Sequence, residues 1–230
     1  MRALDVFAAY VDWLRNNVPL AFENLAGPVT PGELAALENT IGRELPPEVK
    51  AVLGMHNGQL VPSLGYYDHG VPCIPTLTLL SANEIEQIWR SWDDARDHPA
   101  TVSLQRSGAV YPGAEGLIKP LYTSPGWIPL WADAERPDYI GLDFDPGPRG
   151  TPGQIINFGS NEEHHYLCAP DFTDLLEFLL EQVAIGAWPA SVITHDDEEE
   201  DDREPTPWFG DPRESFFNAL YDRFETRPRH

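Results

Sequence analysis

The stretch YIGLDFDPGPRGTPGQIINFG, residues 139–159, sets Asp143 and Asp145 two apart and follows them with a run dense in glycine and proline. Carboxylates ahead of a glycine-rich loop could hold a hard cation, frame a phosphate cradle or supply general acid–base catalysis. Each of these chemistries needs more than the stretch provides. A calcium loop adds further oxygens and a closing glutamate, whereas SNEEHHYL, residues 160–167, follows here. His164 and His165 are neighbours, so on a strand they face opposite sides and do not share one ion. A P-loop requires a lysine and then a helix; an apolar run, Ile155 to Phe158, follows instead. No Ser or Cys occupies a nucleophile elbow, and no two carboxylates stand out as a glycosidase pair. Cys73 and Cys168 form neither a disulfide framework nor a ligand set, and read as buried thiols. These residues point away from an enzyme, and no metal or cofactor is expected.

A hairpin accounts for the stretch more simply. On a strand, Leu142 and Phe144 point to one face, Asp143 and Asp145 to the other. The aspartates are therefore expected on the solvent face and the apolar pair in the core. The prolines and glycines of residues 146–153 then supply the restricted and permissive backbone angles of a long turn. Neighbouring segments share this period of two. GLIKPLY, GWIPLWAD, DYIGLDFD, GQIINFG and HHYLCA, between residues 116 and 169, predict an antiparallel sheet.

Helical signals flank that block. Leu4, Phe7, Val11 and Leu14 form one stripe over residues 3–17. Thr30, Pro31 and Glu33 predict a capping box and a second helix, and Pro46–Pro47 opens a third that ends near Asn57–Gly58. Ser81 and Glu84 repeat the box before Ile85, Ile88, Trp89 and Trp92. Asp171 caps a long amphipathic helix that closes the sheet. In the last segment Asp211, Pro212 and Glu214 predict a helix start, with Phe216, Phe217, Leu220, Tyr221 and Phe224 as its docking face. That helix has three possible seats: its own domain, a second copy, or a partner.

Charge is the outlier. The 230 residues carry a formal charge of −22, and without the seven acids of Asp196–Asp202 it is still −15. Such a chain repels nucleic acid and anionic membrane, since both are bound through clustered Lys and Arg, and it would steer a basic protein toward itself. No apolar run reaches the roughly 18 residues of a membrane span. The N-terminus reads as an amphipathic helix rather than a signal peptide, which predicts a cytoplasmic protein. The acidic run and REPTP after it read as a solvated linker.

Three separated motifs resemble the SUKH superfamily, known from fungal Smi/Knr-type cell-wall synthesis regulators and many bacterial relatives. They are LPPEVKAVLGMHNG, the block WIPLWAD…DYIGLDFDPGPRGTPGQIINFG, and FTDLLEFLLEQVAIG. The resemblance spans about residues 25–188 and implies an α+β fold. N-terminal helices would pack on a twisted, mostly antiparallel sheet closed by a helix. The domain is expected over residues 1–194, with an acidic linker and extra helix over 195–230. The resemblance also implies a non-catalytic binding role: an immunity protein occluding a basic, nuclease-like toxin, or alternatively a regulator or scaffold of the cell-wall type. Arg outnumbers Lys 13 to 2, which leans toward a GC-rich bacterial source. The candidate partner-binding residues are Asp133, Asp143, Asp145, Arg149, Glu162 and Glu163.

Overall fold

Helices begin where side chains can satisfy free backbone amides. The computed structural model describes residues 2–62, 70–96, 98–105, 108–134, 137–162, 164–193 and 205–227. The first half holds α1 (Arg2–Asn17), α2 (Pro19–Glu23), α3 (Pro31–Ile41), α4 (Pro47–Leu53), β1 (Leu77–Leu79), α5 (Ala82–Arg96), α6 (Pro99–Leu104) and β2 (Ala109–Val110). Next come β3 (Trp127–Asp133), β4 (Asp138–Asp143), β5 (Gln154–Gly159), β6 (His164–His165), β7 (Leu167–Ala169), α7 (Phe172–Ala184), β8 (Ala190–Ile193), β9 (Thr206–Phe209) and α8 (Phe216–Thr226).

The predicted caps form. Thr30 Oγ1 accepts from Glu33 N at 3.2 Å, and the Glu33 carboxylate accepts from Thr30 N at 2.8 Å. Ser81 and Glu84 repeat the exchange at 3.2 and 2.7 Å before α5. Asp171 accepts from Asp174 N at 2.9 Å before α7. The last helix starts later than expected, with Ser215 rather than Asp211 as its cap. Asp211 is used locally instead: it accepts from the Arg213 backbone at 2.9 Å and from its guanidinium at 2.8 Å.

The main sheet has five strands in the order β1-β3-β4-β5-β7, and every neighbouring pair is antiparallel. The fold is α+β, as the residue pattern predicts. Helices α1 and α7 pack together, α5 lies against β3, and α8 lies against β7. β4 and β5 are buried at all six positions, and β3 at all but its last. The sheet is therefore covered on both faces, unlike a half-solvated antiparallel sheet.

Two sequence expectations are corrected here. GLIKPLY is not a strand; residues 111–125 form turns laid across one face of the sheet, and the Leu117 and Leu121 carbonyls accept bonds from sheet side chains. Thr206 and Pro207, read as linker, belong to β9, which pairs with β8 in a separate two-stranded ribbon. The acidic run Asp196–Asp202 lies outside the described residues. One apolar core runs through the molecule and includes Phe7, Leu14, Ile128, Leu175, Phe216 and Leu220.

Candidate functional site

The turn after β4 is tighter than a hairpin requires. Of Gly147, Gly150 and Gly153, only Gly153 has a left-handed backbone, at φ +89°. The other two are glycines for space. A Cβ on Gly147 would sit 2.4 Å from the Gly116 carbonyl, and one on Gly150 would sit 2.1 Å from that of Leu117. The glycine pattern thus records a backbone pressed onto residues 115–118 rather than a phosphate cradle.

That contact decides the fate of Asp143. Its cross-strand partners are Trp127 on β3 and Gln154 on β5, so the three side chains share one face. The face is roofed by residues 111–125, and Asp143 is wholly buried. Its Oδ1 accepts from Trp127 Nε1 at 3.1 Å and from Asp145 N at 2.9 Å, and its Oδ2 accepts from Gln154 Nε2 at 2.9 Å. Burial pushes the carboxyl above its ordinary range, and the three donors pull it back. The expectation of a solvent-facing Asp143 is overturned because the polar face is covered by chain rather than water. Asp143 offers nothing to a partner or a cation.

His165 is the second buried polar group of this layer. Its ring lies 4.8 Å from the Trp127 ring, centroid to centroid. Nε2 faces the Leu121 carbonyl at 2.8 Å and Nδ1 the Asn157 carbonyl at 3.1 Å. Burial lowers its pKa. His164 is exposed, so the adjacent histidines do face opposite sides. Among the described residues, no group of three His, Cys, Asp or Glu is placed to hold a metal ion. Cys73 and Cys168 are free and buried, and desolvation pushes both thiols up, which keeps them in the unreactive protonated form.

The remaining candidate residues fall at two ends of the sheet. Asp145, half-buried, pairs with Lys119 and accepts from Ser124 Oγ at 3.1 Å. Arg149 is exposed and donates to the Glu115 carbonyl. Phe144 is only partly buried, with the Arg43 guanidinium 4.7 Å from its ring centre. Asp133 and Glu162 lie at the opposite end of β4, about 17 Å away for a six-residue strand. There they line a hollow of about 240 Å³ together with Asp138, Trp208 and Ser215. Glu163 lies outside the described residues. Sequence reasoning missed Trp127, Gln154 and His165. The only signal for Gln154 was its place in the Gly-Gln pattern of the central block.

The aromatic face of α8 is seated on its own chain. Phe216, Phe217, Leu220 and Phe224 are buried and Tyr221 is partly so. Phe216 packs 6.1 Å from the Trp131 ring and 5.4 Å from that of Trp188.

The profile of the SMI1/KNR4 family (SUKH-1) matches residues 28–177, the span from the approach to α3 into α7. The chain belongs to that family. SMI1/KNR4 relatives include the cell wall biosynthesis/cell cycle regulator smi1 of Schizosaccharomyces pombe, 28% identical over 213 residues, which is 89% of this chain and 39% of that protein. The glucan synthesis regulatory protein of Neurospora crassa is 27% identical over 207 residues, 76% of this chain and 37% of its own. The cell wall assembly regulator SMI1 of Saccharomyces cerevisiae is 34% identical over 71 residues, 31% of this chain and 14% of its own. The chain thus spans under two-fifths of the length of these relatives. They are fungal, and they are named as regulators. Of the two functions the family resemblance implies, these names favour regulation over toxin immunity, and they lend no support to a bacterial source. No helix among the described residues is long and apolar enough to cross a membrane.

Proposed function

We propose that this protein is a non-enzymatic, protein-binding regulatory module of the cell-wall synthesis regulator type, acting in the cytoplasm. The observation that carries this reading is the commitment of its reactive groups to the fold. Asp143 is held by three donors, His165 lies between two carbonyls, and both thiols are buried. The chain as a whole carries a formal charge of −22, and its exposed side chains are suited to contact. A basic surface on the partner is the complement, since opposite net charge speeds encounter and excludes acidic competitors. Asp133, Asp145, Arg149, Glu162 and Glu163 are the candidate contact residues; of those described, Asp145 and Arg149 lie at one end of the sheet and Asp133 and Glu162 at the other.

The test is a graft. The matching region of the S. pombe relative is replaced by this chain, and glucan content and growth under a wall-perturbing dye are measured. Restoration of both supports the reading. A graft that is expressed at normal levels, remains soluble and yet restores neither would overturn it.

A further inference from the structure

The motif LPPEVKAVLGMHNG ends on Asn57 and Gly58, which the proposed function does not use. Gly58 is buried and has a left-handed backbone, φ +78°. A Cβ there would sit 2.4 Å from Ser81 N and 2.8 Å from Ser81 Cα, so the position takes glycine alone. Asn57 ties neighbouring segments together. Its N donates to the Gly27 carbonyl at 2.8 Å, and its Oδ1 accepts from Ala82 N at 2.8 Å. The Gly58 carbonyl beside it accepts from Ala26 N at 3.0 Å. The fold thus calls for a side-chain acceptor at 57 and glycine at 58.

That dipeptide is chemically labile. A glycine amide, with no side chain in the way, readily attacks the side-chain carbonyl of a preceding asparagine, and Asn57 is the only asparagine in the chain that glycine follows. The site adds to this lability. Ala82 is the first residue of α5, and its amide is one of the free donors at the positive end of that helix. Negative charge develops on Oδ1 when Cγ is attacked, so the Ala82 N–H is an oxyanion donor already in place. The attacking Gly58 N–H and the departing Asn57 Nδ2 have no hydrogen-bond partner among the described residues, so neither is held back. Asn57 is partly exposed, which admits water.

We propose that Asn57 is a self-modifying site, at which the folded chain converts asparagine to a succinimide and then to an acid. Gly58 N loses its proton to hydroxide and bonds to Asn57 Cγ. The Cγ–Nδ2 bond breaks, and the departing nitrogen takes a proton from water and leaves as ammonia. Water then adds to one carbonyl of the ring and opens it, giving aspartate or isoaspartate; nothing is oxidised or reduced. Aspartate keeps an acceptor for Ala82 N. Isoaspartate adds a methylene to the main chain between the bonds to Gly27 and Ala26, so the two no longer fit one register. The tie between the end of α4, residues 26–27 and the start of α5 then loosens, and the change is irreversible.

The experiment incubates the full chain in heavy-oxygen water, at neutral and at mildly alkaline pH, and maps its peptides by mass spectrometry. Heavy oxygen is expected to enter at Asn57 ahead of every other asparagine, and faster at the higher pH, where more Gly58 amide is deprotonated. The same chain unfolded in urea keeps the dipeptide and loses the Ala82 donor, so conversion at Asn57 should be slower there. Ala82→Pro removes that donor at the first helical position, which tolerates proline. It should slow conversion by about tenfold or more. The isoaspartate form, separated by ion exchange, is expected to melt below the unconverted chain.

A rate in urea equal to or above the native one would overturn the proposal, because the fold would then protect Asn57 rather than activate it. So would a folded Ala82→Pro chain that converts as fast as the native one, or an isoaspartate form that melts with the unconverted chain. Ala82 is fully buried, and should its replacement by proline prevent folding, the comparison of native chain with chain in urea decides the matter.

Discussion

The Tyr166 hydroxyl donates to the Phe217 carbonyl at 2.9 Å, joining the link between β6 and β7 to the last helix across 51 residues of chain. Both residues are buried, and the Tyr166 ring also meets those of Tyr221 and Phe224 at 5.4 and 5.8 Å. Phe216, Phe217, Leu220 and Phe224 thus supply part of the core shared with the helices and sheet before them. A fully buried large apolar side chain contributes roughly 1.5–3 kcal/mol, and a whole domain retains only about 5–15 kcal/mol. Removal of Phe216, Phe217, Leu220 and Phe224 together should therefore be ruinous. A chain ending at residue 194 is expected to bind a hydrophobic dye and to lose its cooperative melt, and a sharp native-like melt would contradict this. Tyr166→Phe should cost about 1–2 kcal/mol in a urea titration, the value of one buried hydrogen bond and its orphaned acceptor.

Asp143→Asn keeps the shape of the side chain and turns one acceptor into a donor. Gln154 Nε2 would then face an amide, and Gln154 cannot simply flip, because its Oε1 accepts from Thr151 N and its Nε2 also serves the Leu117 carbonyl. A loss of about 1–3 kcal/mol is expected at neutral pH. The sign of the pH dependence follows from burial, which raises the native carboxyl above its ordinary value. A raised carboxyl contributes most stability below its unfolded pKa and loses that contribution as pH rises through its folded one. The advantage of the native protein over Asp143→Asn should therefore grow on going from pH 7 into the acid range. Urea midpoints for both proteins across that range test the prediction, and an advantage that shrinks in acid would contradict it.

His165 has the opposite linkage. Burial lowers its pKa, so the unfolded chain takes up a proton first as pH falls. Its contribution should be present above about pH 6.5, the ordinary value for histidine, and should decline below that until the folded pKa is reached. His165→Gln should remove this component, so that between pH 7 and 5 its stability falls less than that of the native protein. His165→Ala should cost about 2–4 kcal/mol at neutral pH, since it leaves a cavity and deprives the Leu121 and Asn157 carbonyls of their neighbour, and less as the pH falls below about 6.5.

Metal should not matter to folding. The Asp143 carboxylate is occupied by protein donors and Asp145 by Lys119. A chelator is expected to leave the melting temperature unchanged, and a fall of several degrees would reveal a site.

Association with a basic partner should slow steeply between low and physiological salt, where the screening length falls to about 8 Å. Dissociation should change much less, because close contacts are poorly screened. Stopped-flow mixing at several salt concentrations separates the two rates. An association rate indifferent to salt would leave charge without a role in recognition.

Local signals were legible from residue type alone. Thr30 with Glu33, Ser81 with Glu84, and Asp171 each cap the helix that their spacing announced, because a cap needs only three or four consecutive residues. The same holds for the strands around Trp127, Tyr139 and Ile155, whose period persists whatever lies above them. Residues 111–125 and the ribbon were not legible. Leu117 and Leu121 alternate like a strand but find no neighbour to pair with, while Thr206 and Pro207 look like linker and yet meet β8 across the acidic run. Alternation states that Asp143 and Leu142 face opposite ways; it cannot state what covers each face. Residues 111–125 make that decision, since they bring carbonyls and turns where water was expected and convert a solvent aspartate into a core hub. The seat of α8 was decided in the same way. Its aromatic stripe required burial, but only the gap between Trp131, Tyr166 and Trp188 placed that burial on its own chain.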